Sequence, residues 1–172
     1  DLTHGEAGSF FFFITSGYFV SVLGSGYFSS RLNHRRAIVA SAVALGLTLL
    51  ALPLCRSLWT LRADLFLLGL GSGLYLASGM VTLTTSIDPT HWGKAFAIHD
   101  LGPNLGFIMA PLLAEALLNC CTWQSAPALV GAASILLGLG FYRFGKGGEF
   151  LGQSLSPGSL FSLIRNPAFW SI

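Results

Sequence analysis

Asp100 is the residue whose setting most invites chemistry: it is the one Asp, Glu, Lys or Arg between Ala95 and Ala114. A carboxylate at helix depth in a bilayer costs about 2.5–3.5 kcal/mol on insertion scales, so such a residue normally faces a partner or a water-filled cavity. A helical step of about 100° per residue sets Asp100, Asn104, Phe107 and Pro111 within roughly 60° of one another. Gly102, Gly106 and Ala110 fall on the other side. This spacing predicts one helix face that packs closely and another that presents Asp and Asn, as suits a cavity-lining helix. Pro103 has no N–H for the carbonyl of His99 and leaves an acceptor near the carboxylate. His99 falls on the glycine side, where a structural hydrogen bond is expected. A second polar stripe, Tyr75, Gly79, Thr82 and Ser86, shares one face of another apolar segment. Tyr75 and Thr82 are therefore candidates to line the same pathway.

The elements that must position these residues are membrane helices. Hydrophobic residues make up 53% of the 172, charged residues 9%, and the mean hydropathy is +0.69, against about 25% charged residues in a soluble domain. Four stretches, Ala7–Ser30, Ala37–Cys55, Leu65–Ile87 and Cys120–Tyr142, contain no Asp, Glu, Lys or Arg, and Ala95–Ala114 contains only Asp100. Each comes close to or exceeds the ~20 residues that cross a bilayer as a helix. Apolar residues run consecutively instead of alternating, which favours helices over barrel strands. The expectation is an all-α membrane bundle over 1–144, with helices at about 8–30, 37–55, 64–87, 95–117 and 122–143. A Gly/Ser/Pro-rich connector follows over 145–167, and a further helix begins at 168–172, where Pro167 suits a first turn.

Basic residues orient the bundle. Arg31, Arg35, Arg36, Lys94, Arg143, Lys146 and Arg165 fall on one side of the alternating connections, Arg56 and Arg62 on the other. By the positive-inside rule the first set is cytoplasmic. The net charge of +2 gives no footprint for a nucleic-acid partner. Cys55 and Cys120–Cys121 have no metal-binding spacing, and the four histidines are scattered; no metal and no cofactor are expected. Small residues recur every fourth position at Gly17, Ser21, Ser25 and Ser29, and at Gly69 and Gly73, the pattern that lets membrane helices approach closely.

The turn Gly26-Tyr-Phe-Ser-Ser-Arg31-Leu-Asn33-His-Arg35-Arg36 resembles the signature between the second and third helices of major facilitator superfamily transporters, of the type G-x-x-x-D-R-x-G-R-R. Gly26, Arg31, Arg35 and Arg36 match. Ser30 stands for the family's Asp, which is thought to help lock the inward face, and Asn33 stands for Gly. Leu65-Phe-Leu-Leu-Gly69-Leu-Gly71 is similar to the fourth family helix with Leu65 in place of an arginine implicated in proton coupling. Gly93-Lys94-Ala95-Phe96 is similar to the basic loop entering helix five. Gly106-x-x-x-Ala110-Pro111 resembles the helix-five motif of drug/proton antiporters, with Ala for its second Gly, and leans toward export.

The resemblance covers family helices two to six and the start of seven, and implies that helix one and the C-terminal half lie outside this sequence. It implies a non-enzymatic secondary transporter of a drug-like or organic solute, working by alternating access in the plasma (inner) membrane. Protons are the candidate coupling ion and the bilayer is the partner. Asp100, Asn104, Tyr75 and Thr82 are the expected pathway residues, and Gly26, Arg31, Arg35, Arg36 and Lys94 the topology and gating residues. Gly102, Gly106, Ala110 and Pro111 are the expected helix-packing motif. A non-transporting sensor or scaffold is the alternative, and a membrane enzyme built on His99 and Asp100 a weaker one, since no nucleophile elbow, phosphate loop or second carboxylate accompanies them.

Overall fold

The structure, a computed structural model, describes residues 3–152 and 165; most of the expected connector beyond 152 and the helix expected at 168–172 lie outside the described residues. The described chain forms five long helices: α1 (His4–Arg31), α2 (His34–Ala51), α3 (Leu58–Ser86), α4 (Trp92–Cys120) and α5 (Ser125–Phe144). A 3-10 turn at Leu52–Leu54 continues α2, and another at Pro89–His91 precedes α4. All five helices are long and apolar enough to cross a membrane.

Several helices begin earlier than the uncharged runs, because caps rather than charges set their ends. The Thr3 hydroxyl accepts from the Glu6 N–H at 3.3 Å while the Glu6 carboxylate accepts from the Thr3 N–H at 2.8 Å, a reciprocal capping box. Ser57 and Thr60 close a similar box at the start of α3. Asn33 Oδ1 accepts the Arg36 N–H at 2.9 Å and starts α2 three residues after α1 ends. Each such cap contributes about 1 kcal/mol. As a result α3 starts at Leu58, and Asp64, which precedes an uncharged run, lies inside the helix.

The interior is small and polar, and the exterior is greasy. Ala37 is the one fully buried hydrophobic among the described residues, whereas Ser21, Ser41 and Ser78 are buried and Phe11, Phe107 and Leu137 are 75%, 82% and 75% exposed. Lipid tails are as apolar as leucine, so burying leucine between helices gains little, and close approach through small residues holds the bundle. The glycine ladder on α1 meets that on α3: a side chain at Gly17 would strike the Phe66 carbonyl, and one at Gly69 the Ile14 carbonyl. A Cβ at Gly73 would come within 2.6 Å of the Ser21 Cβ. On the far side of α2, Cβ atoms at Gly46 and Gly131 would sit 2.6 and 2.7 Å from each other's carbonyl oxygen, and Ser134 donates to the Ala42 carbonyl at 2.9 Å. Between α2 and α3, Ser41 donates to the Gly71 carbonyl at 2.7 Å and His34 Nδ1 lies 3.3 Å from the Ser78 hydroxyl. α3 therefore packs between α1 and α2, and α2 between α3 and α5.

α4 departs from the expectation. The ladder Gly102, Gly106 and Ala110, with Pro111, was expected to pack against a neighbour. Instead a Cβ at Gly102 or Gly106 would meet nothing within 4 Å, and Ala110 and Pro111 are exposed. A ladder packs only where another helix comes close along it, and among the described residues none does so beside Gly102 or Gly106.

The start of the connector also differs from a free linker. Gly147 and Gly148 take positive φ values of 91° and 72°, a conformation glycine adopts without strain, and turn the chain back beneath the α1–α2 turn. There the Arg35 N–H donates to the Gly148 carbonyl at 2.8 Å, the His34 N–H to that of Phe150 at 3.3 Å, and the Gly152 N–H to that of Ser29 at 2.7 Å. Composition alone reads as flexible here because backbone pairing leaves no mark on side-chain pattern.

Candidate functional site

α3 brings Tyr75 to the edge of the packed bundle, 40% exposed, and α4 sets His99 against it. The two rings stack almost parallel, 8° between planes and 5.9 Å between centroids, and Tyr75 Oη lies 3.0 Å from His99 Nε2. Gly79, one turn on, gives the Tyr75 ring its room: a Cβ there would sit 3.2 Å from it. His99 Nδ1 in turn lies 3.3 Å from Asp100 Oδ1. The result is a chain of hydrogen-bonding groups, Tyr75–His99–Asp100, that joins α3 to α4.

The donor order follows from the chemistry of each group. An ionised Asp100 accepts from His99 Nδ1–H, leaving Nε2 to accept the Tyr75 hydroxyl proton. With the imidazole protonated, Nε2–H donates to the Tyr75 oxygen instead. The chain stays connected in both states, and only the direction of the outer bond reverses. His99 was expected to make a structural hydrogen bond on the glycine side; the bond to Tyr75 makes it the link between the two helices. Its register against its own helix was readable, but its partner depends on how α4 docks on α3.

The other pathway candidates are placed differently. Asn104 Nδ2 donates to the Asp100 backbone carbonyl at 2.7 Å, so it shares the Asp100 turn but is tied to the backbone. Asp100 and Asn104 are both exposed, as are the glycines across the helix, so the expected contrast between a cavity face and a packed face is not present. Thr82 is half-buried and donates to the Ser78 carbonyl at 2.7 Å. Its hydroxyl lies toward the returning segment, 2.9 Å from where a Cβ at Gly148 would be. Thr82 thus belongs to the basic end of the bundle, apart from Tyr75 and Asp100.

Tyr75 also borders an open cavity of about 360 Å³ between α2, α3 and α5, lined by Ile38, Leu45, Leu137 and Phe141 with Ser41 and Ser72. Both serines donate to backbone carbonyls, of Gly71 and Gly69, so the walls are apolar and Tyr75 carries the polar group at the rim. This size falls in the range of ~300–1,000 Å³ typical of small-molecule sites.

At the basic end the arginines divide. Arg35 has a side chain 17% exposed, pairs with Glu149, donates to the Tyr142 carbonyl at 2.7 Å and lies over the Tyr142 ring. Arg31 stacks over Tyr27 at 5.3 Å, while Arg36 and Lys94 are exposed. Ser30, where the related signature carries Asp, donates to the Tyr27 carbonyl at 2.8 Å. Gly26 lies in the last turns of α1, where its carbonyl accepts from Ser29 at 3.2 Å. The contact of this turn with the rest of the bundle therefore runs through Arg35 and the segment after α5.

A comparison with curated proteins returns no match. The sequence profile of the Major Facilitator Superfamily matches residues 1–172, the whole chain. Five apolar helices, a core of small residues and a basic turn between α1 and α2 agree with that match. The protein is an integral membrane protein of a transporter family, and the chain belongs to the Major Facilitator Superfamily.

Proposed function

We propose that this chain forms part of a secondary active transporter that moves a small, largely apolar organic solute by alternating access, with protons as the coupling ion. The observation that carries the reading is the Tyr75–His99–Asp100 chain at the rim of an apolar cavity. A polar chain that spans two helices and can take a proton on His99 or Asp100 suits a group that binds solute in one state and exchanges a proton in the other. Secondary transporters bind substrate between helices near the bilayer midplane, and Tyr75 lies near the middle of α3. Asn104 supports the Asp100 turn, and Arg35 with Glu149 holds the basic end closed. On this reading the cycle calls on no cofactor or metal and breaks no covalent bond. The basic turn supports an orientation with Arg31, Arg35 and Arg36 in the cytoplasm, and on this reading the membrane is the plasma or inner membrane.

Proteoliposomes carrying the full-length protein and a trapped pH dye test this reading. A panel of small apolar amines, acids and neutral aromatics should include members that elicit proton movement, and Asp100→Leu should abolish the response at equal protein content. A wild-type protein that moves protons with none of them, or a variant that responds like wild type, would overturn it.

A further inference from the structure

Asp64 is a buried acid that the site above does not use. It stands about two turns into α3, is 7% exposed, and its Oδ2 has no hydrogen-bond partner. Asp64, Gly71 and Ser78 recur at intervals of seven and so share one face, drifting by only about 20° per step. That face is turned to α2. At its second level the Gly71 carbonyl accepts from Ser41, and at its third Ser78 meets His34. The first level, Asp64, has a carboxylate and no donor.

The charged and titratable groups around it do not compensate. Cys55, part-exposed beyond the 3-10 turn that continues α2, has its thiol pushed up by burial and, in the same direction, by the Asp64 carboxylate. Arg62 is engaged elsewhere, donating from Nε to the Ser9 hydroxyl at 3.0 Å and lying over the Trp59 and Phe13 rings. Glu6 on α1 interacts with Arg62, and Arg56 is exposed in the loop. Among the described residues no cation lies within ion-pair distance of Asp64.

An ionised carboxylate buried without a cation carries an uncompensated desolvation penalty of several kcal/mol, whereas the protonated acid carries only that of an unpaired polar group, about 1–3 kcal/mol. A closed α2–α3 seam and a bound proton therefore favour each other. We propose that Asp64 is a proton-binding site in this seam: the carboxylate takes one proton from water as the seam closes, and gives it back to water as the seam opens beside Cys55. The bond formed and broken is the acid O–H alone. That this proton is the one coupled to solute rests on the transporter reading; the proton site itself does not, and it is tested without solute.

Infrared difference spectra of the purified full-length protein, wild type minus Asp64→Asn, should show the carbonyl stretch of a protonated carboxyl that vanishes as pH is raised, and Asp64→Glu should restore it. In a Cys120→Ser/Cys121→Ser background, N-ethylmaleimide labelling of Cys55 reads seam opening. Between about pH 5 and pH 9 the ratio of wild-type to Asp64→Asn labelling rates should rise about tenfold, which is about 1.4 kcal/mol. The direct effect of a carboxylate on the neighbouring thiol runs the other way, since it slows labelling as Asp64 ionises, so the two causes separate. Absence of the band, or a labelling ratio that stays flat or falls with pH, would overturn the proposal. Loss of solute-driven proton movement with the band intact would overturn the transporter reading alone.

Discussion

Asp100 and its neighbours make distinct forecasts for single residues. Tyr75→Phe keeps the ring stack on His99 and removes the 3.0 Å hydrogen bond, so it should lower stability by about 0.5–1.5 kcal/mol. Combined with His99→Ala, the loss should be smaller than the sum of the single losses, because both changes delete one contact; unfolding in mixed detergent micelles measures it. Strict additivity would show that Tyr75 and His99 do not meet in the folded protein. Asp100→Asn keeps an acceptor for His99 Nδ1–H but no exchangeable charge, so solute-driven proton movement should fall at least tenfold, about 1.4 kcal/mol, with folding unchanged. Asp100 could be found in the sequence because it interrupts an apolar run. His99 and Asp64 could not be read the same way. His99 acquires its role only when α4 meets α3, and Asp64 looked like the flank of a helix until the Ser57 cap placed it two turns inside.

Among the helices, the α1–α3 contact is the most demanding. A side chain at Gly17 or Gly69 would meet a backbone carbonyl of the facing helix, which cannot rotate away as a side chain can. Gly17→Leu or Gly69→Leu should cost at least the ~1–3 kcal/mol of ordinary overpacking, whereas Gly140→Leu, with nothing within 4 Å, should be tolerated. Thermal aggregation at matched expression compares the three. The α1 and α3 ladders were legible from their spacing of four, while the same spacing at Gly102 and Gly106 meets no neighbour among the described residues. The pattern states that a helix can be approached closely and is silent on whether a partner is there. At the entry to α4, Asp88 accepts from the Thr90 hydroxyl at 2.6 Å and the Thr90 N–H at 2.9 Å, which hold its carboxyl below the usual aspartate range, the side-chain bond contributing most. A lowered carboxyl supports structure above the ordinary aspartate range, near pH 4, and the support disappears as pH falls through the lowered value. Protection factors of the Thr90 and His91 amides, taken against intrinsic rates at the same pH, should therefore fall on strong acidification, and Asp88→Ala should show the low protection at neutral pH.

For the molecule as a whole, the basic end combines orientation with closure. Labelling cysteines introduced at Asn33 and Gly147 with an impermeant maleimide should fail from outside intact cells, while positions Ser57 and Cys120 should label. Outside labelling at Asn33 would reverse the topology. Arg35→Ala should destabilise this end more than Glu149→Gln. Glu149 is 69% exposed, and an exposed ion pair contributes only about 0–1 kcal/mol, whereas losing Arg35 also removes the bond to the Tyr142 carbonyl and the stack on its ring. The five helices and their basic bias were legible because charge and hydropathy record contact with lipid and water.

The folded-back segment after α5 also sets a timetable. Arg35 and its partner Glu149 are 114 residues apart in the chain, and a ribosome adding about 5–20 residues per second needs roughly 6–23 s to cover that distance. Through that interval α1 is already made and α2 is completed in its first part, while the backbone groups of Ser29, His34 and Arg35 still lack their partners at Gly148, Phe150 and Gly152. The basic turn is thus held in place by charge from the moment of its synthesis, and gains its backbone partners only after the last of the five helices has been inserted.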